Sequence, residues 1–305
     1  MPDFPILVTG AAGAIGRMVA GDQLERGRPV RAMVRREDDR SVALRSAGAE
    51  VVVGDLTLAA DVARALDGCD RLYFGMTVSP RYVEATAAAA AAARAHGELR
   101  LFVNMSQMTV SQMDVRSTAE SVQQRQHWLS EQLLDWSGLP VVHVRPTMFM
   151  ENPLLREVAA RTIRRDDEIR LPFGTGRTSP VAARDVADVV TTVLSDPDTH
   201  AGAVYQLTGA SSRDMRQIAE EFSAALGRTI TYVDMPYEEW VRRELDPLGL
   251  PDHVRRHLSS MARLHAANRY DRVTSDIRRL LGRPPSTISD VVAADPGRFA
   301  REPGP

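Results

Sequence analysis

The chain has 305 residues, 44% hydrophobic and 26% charged, with a net charge of −2. That balance belongs to a soluble globular protein with a real core, and it gives no reason to expect nucleic acid or an acidic membrane as partner. The single cysteine, Cys69, excludes an internal disulfide, and all 38 basic residues are arginine, so chemistry that requires a lysine is excluded too.

Ile6-Leu7-Val8 runs through Thr9 into three glycines spaced three apart, Gly10, Gly13 and Gly16, and a helix is expected from about Gly16 to Arg26. A strand, a glycine turn and a helix in that order make a nucleotide cradle. Gly10 allows the tight turn, Gly13 lets backbone N–H groups approach a pyrophosphate, and Gly16 lets the helix lie close on the sheet. The backbone of Ala12, Ala14 and Ile15 belongs to the same cradle. The alternative is a glycine turn with no ligand.

A second strand is expected at Val30–Val34. Arg35 and Arg36 follow it, about where a fold specific for NAD places an acidic residue on the ribose hydroxyl. Guanidinium groups there suit a 2′-phosphate, so the expected cofactor is NADPH, with NADH possible; the alternative is two solvated surface arginines. A third strand covers Glu50–Asp55, with Leu56 next. Asp55 can accept from an adenine amino group or cap the next helix, a role open equally to Thr57 and Asp61. The fourth strand is Arg71–Gly75, then Met76; the small Gly75 lets the chain pass close to a cofactor.

Tyr82–His96 is a helix built almost wholly of alanine, thin enough to pack closely on a sheet. The fifth strand is Leu101–Asn104, followed by Met105 and Ser106. Four strand–helix steps in a row predict an α/β fold with a right-handed, doubly wound parallel sheet. A polar loop, a helix from about Ser117 to Trp136 and a sixth strand, Leu139–Pro146, come next. The backbone of Pro146, Met148 and Phe149 is expected to pass a nicotinamide, while Arg145 reads as an ion-pair partner.

The pattern then changes. A short helix, a strand-like Ile169–Leu171 and a loop lead to a helix opened by Arg184–Asp188 and a strand at Ala203–Leu207 that rejoin the first domain. From Asp214 the chain is mainly helical, interrupted by one strand at Thr229–Val233. The expected division is a dinucleotide-binding domain of residues 1–150 with about 179–209, and a smaller, mainly helical C-terminal substrate lobe of 151–178 and 210–305. The tail Arg301–Pro305 is expected to fray. No charged-then-apolar leader and no run of membrane-spanning length is found, so a cytoplasmic protein is expected.

Several stretches together resemble the atypical short-chain dehydrogenase/reductase superfamily, in its NmrA-like and quinone-reductase-like branch. They are Thr9-Gly10-x-x-Gly13-x-x-Gly16, Gly54-Asp55, Ser137-Gly138-Leu139 to Arg145-Pro146 with Glu151-Asn152, Asp185-Val186-Ala187, Tyr205-x-Leu207-Thr208-Gly209 and Leu281-Gly282-Arg283-Pro284. The resemblance covers nearly the whole chain and implies a Rossmann sheet with a small C-terminal lobe and substrate in the cleft between them. Typical members carry Tyr-x-x-x-Lys on the helix before strand six and a Ser or Thr at the end of strand five. Here the Tyr position falls on Gln123 and the Lys position on His127, while Ser106 matches the Ser. Similar chains of the quinone-reductase-like branch also place His where His127 stands. The usual acid is missing.

Two residues are therefore the catalytic candidates. Ser106 could hydrogen-bond a substrate carbonyl, or cap a local turn. His127 could bind ribose hydroxyls or donate a proton, or lie on a solvated helix face. Met105, Met108, Met113, Met148, Phe149 and Met150 near strand ends could make an adaptable slot for a flat apolar ligand, with part of the set serving as ordinary core. His253, His257 and His265 sit at helical spacing, but no cysteine accompanies them and Arg255 and Arg256 would repel a cation; no metal is expected, and these histidines are read as lining the cleft roof or the surface. Two functions fit. One is an NADPH-dependent oxidoreductase acting on a flat aromatic ketone or quinone, polyketide-like, as in antibiotic tailoring. The other is a non-catalytic NADP(H)-binding redox sensor of the NmrA type. The expected partner is a small aromatic molecule, and the expected state is a monomer or homodimer.

Overall fold

The computed structural model describes residues 4–301. Short, almost wholly apolar runs are the mark of strands covered on both faces. Here they form β1 (Ile6–Val8), β2 (Val30–Val34), β3 (Glu50–Val53), β4 (Arg71–Phe74), β5 (Leu101–Met105) and β6 (Val141–Pro146). Two further strands, β7 (Glu168–Leu171) and β8 (Val204–Leu207), precede a last one, β9 (Thr231–Asp234). Seven strands make one sheet in the order β3-β2-β1-β4-β5-β6-β8. The pairings from β3 across to β6 are all parallel. The order reverses between β1 and β4, so the expected doubly wound α/β sheet is present with its switch point beside the glycine turn.

Helices follow each strand in turn: α1 (Ala14–Glu25), α2 (Asp39–Ser46), α3 (Ala59–Leu66), α4 (Tyr82–His96) and α5 (Val122–Trp136). α2, which composition does not announce, starts from a capping box in which Asp38 accepts from the backbone N–H groups of Arg40 and Ser41. α4 packs its small side chains against the sheet. Ala85, Ala89 and Ala93 are buried in one cluster with Leu72, Phe74, Phe102 and Leu134, and Tyr82 meets Phe74 edge-on at 5.9 Å. Truncating a ring such as Phe102 in a core of this kind costs about 3–5 kcal/mol.

α5 starts at Val122, several residues later than the helical pattern suggests. The residues before it spend their hydrogen bonds elsewhere. Gln112 exchanges bonds with Arg269 at 2.6 and 3.0 Å, Glu120 accepts from Arg269 at 2.9 Å, and Ser121 bonds His257 at 2.8 Å.

The chain divides into two compact units. The first holds the chain up to Val110, Gln123–Arg145 and Val186–Gln206; the second holds Ser111–Val122, Pro146–Asp185 and the chain from Leu207 onward. Helices α6 (Ala160–Asp166), α7 (Ala183–Ser195), α8 (Pro197–His200), α9 (Met215–Leu226), α10 (Tyr237–Trp240), α11 (Asp252–Ala266), α12 (Asp276–Leu281) and α13 (Ile288–Ala294) complete the fold. The second unit has its own core around Phe173, Phe222 and Trp240, and its own two-stranded parallel sheet of β7 and β9. Residues 302–305, most of the tail expected to fray, lie outside the described residues. Among the described residues no helix is long and apolar enough to cross a membrane.

Candidate functional site

The turn after β1 is shaped by what its glycines exclude. Gly10 takes φ +58°, and a Cβ there would lie 2.4 Å from the Gly75 carbonyl oxygen. The two strand ends are stitched together by Thr9, whose hydroxyl accepts from the Gly75 N–H at 3.0 Å and donates to the Gly75 oxygen at 3.2 Å. Gly13 N–H closes the turn on the Gly10 carbonyl at 2.8 Å, and a Cβ at Gly16 would stand 2.5 Å from that same oxygen. α1 begins at Ala14 with no side chain capping its N-terminus and no acid in its first turn. The first N–H groups of that helix are thus left for an outside anion.

The surrounding charges suit that anion. Arg35 and Arg36 follow β2 and are exposed. Among the described residues Arg36 makes no hydrogen bond or ion pair, and Arg35 acts through its field on Asp55. The acids nearby are already engaged: Asp38 caps α2 and holds Arg40 at 2.5 Å, and Glu37 holds Arg45 at 2.5 Å. Arg40 also reaches the Ala12 carbonyl at 3.4 Å, a contact from α2 back to the glycine turn that sequence reasoning missed. No hydrophobic pattern marks such a residue; only the capping signal at Asp38 places it.

Asp55 stands beyond β3. Its carboxylate accepts from the N–H and hydroxyl of Thr57 at 2.9 and 2.7 Å, and these bonds, with Arg81 at 3.9 Å, hold it below the usual carboxylate range. Asp61 accepts from the Asp55 N–H at 2.9 Å, so α3 is not capped by Asp55, Thr57 or Asp61; its N-cap is Leu58. Leu56 is half-buried beside Asp55, and Gly75 and Met76 follow β4.

Met105 and Ser106 end β5. Alternation along a strand puts Phe102, Asn104 and Ser106 on one face. Phe102 packs with Leu134 of α5, which identifies that face as the α5 side. Asn104 bonds His143 at 3.0 Å, and His143 bonds Asp135 of α5 at 3.0 Å. Ser106 is buried, its N–H donates to the Val144 carbonyl at 2.8 Å, and its Oγ has no hydrogen-bond partner among the described residues. A buried hydroxyl with nothing to bond is costly unless a ligand completes it.

His127 lies on α5 and is not on a solvated face. Its ring packs at 4.2 Å on Tyr82, and its Nε2 is 3.1 Å from the Gln123 amide nitrogen. Tyr82, from the start of α4, donates to the Met105 carbonyl at 2.9 Å. The fold brings its hydroxyl to the residue before Ser106. Ser106 and His127 do not hydrogen-bond each other. Arg145 is an ion-pair partner: it holds the buried Glu131 carboxylate on α5 through two bonds, one of them 3.0 Å.

Pro146 closes β6; Met148 and Phe149 follow it in the second unit, where Phe149 bridges to Val181. Met148 is 1% exposed inside that unit's core, and Met108 is 1% exposed, so these two thioethers fill space rather than face a ligand. The lobe histidines are not surface residues as a group. His257 and His265 are buried; His265 is stacked between Phe173 at 4.3 Å and Tyr270 at 3.8 Å. Among the described residues no cluster of metal-ligating side chains occurs.

Residues 3–294 match the model of the NmrA-like family. The chain is 33% identical over 297 residues to a (4-alkanoyl-5-oxo-2,5-dihydrofuran-3-yl)methyl phosphate reductase of Streptomyces griseus, covering 97% of this chain and all of that one (100%). It is 28% identical over 296 residues to an NAD(P)H azoreductase of Xenophilus azovorans, covering 96% of this chain and 99% of that one. In fold it is similar to an NADPH-dependent quinone oxidoreductase of Escherichia coli solved with NADPH, at a TM-score of 0.81 and 23% identity over 95% of this chain and 99% of that one.

Proposed function

This chain belongs to the NmrA-like family, and from that premise we propose that it is an NADPH-dependent reductase of flat aromatic ketones or quinones. The azoreductase and the furanone phosphate reductase, similar over their full lengths, support the reaction class. The backbone cradle between Gly10 and Gly16 fits a pyrophosphate, and the exposed guanidiniums of Arg35 and Arg36 fit a 2′-phosphate. Asp55 stands at the strand end where an adenine edge would be held, and Gly75 and Met76 pass beside the cradle.

The observation that carries a reductase over a mere dinucleotide binder is the buried, unpartnered Oγ of Ser106. NADPH, when bound, supplies the hydride. The Ser106 hydroxyl would then donate to the oxygen on which negative charge develops, and His127 would supply a second N–H or a ribose contact. A ketone or quinone beside a phenol suits such a site, because the phenol can share the developing charge with Ser106. The Met105 thioether, next to Ser106, is an adaptable surface for a flat molecule.

The test is NADPH oxidation, followed by absorbance, across a panel of quinones, hydroxyaryl ketones and azo dyes. Turnover of at least one class, lost tenfold or more in Ser106→Ala with KM for NADPH unchanged, is the expected result. Cofactor binding without turnover of any member would favour the redox sensor instead.

A further inference from the structure

We infer that Gln123 is a positioning residue that fixes His127 as the neutral imidazole with its proton on Nδ1. The inference deepens the reductase reading and takes its catalytic meaning from it.

One donor beside Gln123 admits a single role. The backbone N–H of Ser79, in the loop after β4, lies 3.0 Å from the Gln123 side chain. A backbone N–H only donates, so the amide atom facing it is the carbonyl oxygen, Oε1. With Oε1 turned to Ser79, the amide nitrogen of Gln123 is the atom facing His127, 3.1 Å from its Nε2. That nitrogen also only donates. His127 Nε2 must therefore accept, which leaves the ring proton on Nδ1.

Flipping the amide would set two N–H groups against each other at Ser79, at the cost of a lost bond and a buried unpaired donor. Gln123 is 5% exposed, so water is poorly placed to repair that loss. The loop cannot easily drift away, because Gln126, one turn along α5, donates to the Pro80 carbonyl at 2.7 Å. The ring plane is held from the other side by Tyr82 at 4.2 Å. Residues four apart share a helix face, so Gln123 and His127 meet without strain.

The chemical consequence is specific. Protonating His127 would place an Nε2–H against the Gln123 N–H. The network therefore favours the neutral ring, and His127 offers an N–H rather than a positive charge. The two positions that resemble the family's Tyr and Lys hold, in this chain, a single coupled donor unit with its orientation set by the main chain of another loop.

The test reads the tautomer directly. Two-bond 1H–15N correlation spectra of uniformly 15N-labelled protein at pH 7.5 distinguish a protonated Nδ1 from a protonated Nε2, and His127→Asn identifies the His127 signals among the seven histidines. The expected result is Nδ1–H with an unprotonated Nε2. In Gln123→Glu the carboxylate would accept from Nε2, and the signature should reverse or become that of the imidazolium. A wild-type Nε2–H or imidazolium signature overturns the inference, and that outcome needs no variant to fold. Because the spectrum does not depend on NADPH turnover, which is assayed separately, the two failures are distinguishable. An inactive protein with the Nδ1–H signature sinks the reductase and leaves the relay standing, and an active one with Nε2–H sinks the relay alone.

Discussion

The glycine turn after β1 and helix α5 serve the same sheet by opposite means. In the turn the constraint is on the backbone: Gly10 sits at φ +58° with the Gly75 carbonyl against it, and no side chain caps α1. In α5 everything of interest is a side chain, and each is set by a partner on another element: Gln123 by Ser79, His127 by Tyr82, Glu131 by Arg145 of β6. A backbone site tolerates no atom where none was, whereas a side-chain site tolerates exchange of partners.

The comparison breaks most sharply at Gly10. Gly10→Ala would force a left-handed conformation costing about 1–2 kcal/mol on an alanine, and its methyl group would displace the Gly75 carbonyl 2.4 Å away. Affinity for NADPH, measured by fluorescence titration, should fall on the order of a hundredfold or more, with a lower Tm. Gly21→Ala, in the helix α1 that follows the turn, is the control, since nothing lies within 4 Å of a Cβ there. It should bind NADPH as before and gain about 0.5–1 kcal/mol from helix propensity. Equal losses in both variants would show that the turn has no special role.

A smaller effect is expected at the arginines, where side chains rather than backbone make the contact. Arg35→Ala with Arg36→Ala should raise KM for NADPH about 10–100-fold, from one or two charge-assisted bonds of about 1.5–3 kcal/mol each discounted for exposure. KM for NADH should stay within a factor of about two. A parallel rise for both cofactors would place the arginines away from the 2′-phosphate and shift attention to Arg40, the guanidinium already touching the Ala12 carbonyl.

The backbone half of this comparison is legible in sequence, because glycine spacing and apolar runs are local signals. β1 to β6 and the alanine helix α4 follow from periodicity within a few residues of each end. What is not legible is long-range partnering. The start of α5 depends on Arg269, about 150 residues away from the residues it binds. β7 finds β9 some 60 residues later. Met148 has the composition of a binding slot and the burial of a core residue, and nothing beside it in the chain says which. Tyr82 illustrates the same limit inside the site: at a distance of 45 residues from His127 in sequence, only the packing of α4 against α5 brings the two rings to 4.2 Å.

The histidines extend the contrast to the second unit, with the mildest expected effect. His127 is set by hydrogen bonds, whereas His257 and His265 are set by burial. Burial pushes their pKa values down to about 4 and about 3, and His265 keeps its Nδ1–H on the Met261 carbonyl at 2.8 Å while its Nε2 has no hydrogen-bond partner among the described residues. Both are neutral in the folded protein and take up a proton when unfolded below about pH 6.5. The unfolded state then binds more protons, so stability falls as pH drops from about 6.5 toward the folded values. Between pH 7.5 and 5.5 each should contribute about 1 kcal/mol of that loss. His257→Gln keeps a side-chain partner for Ser121 but cannot titrate, so urea unfolding of this variant should show a shallower decline over the same range, with little change in stability at pH 7.5 beyond one exchanged hydrogen bond. An unchanged slope would mean that His257 is solvated in solution, and that the segment from Ser111 to Val122, tied to it through Ser121, opens more readily than its buried bonds to Arg269 imply.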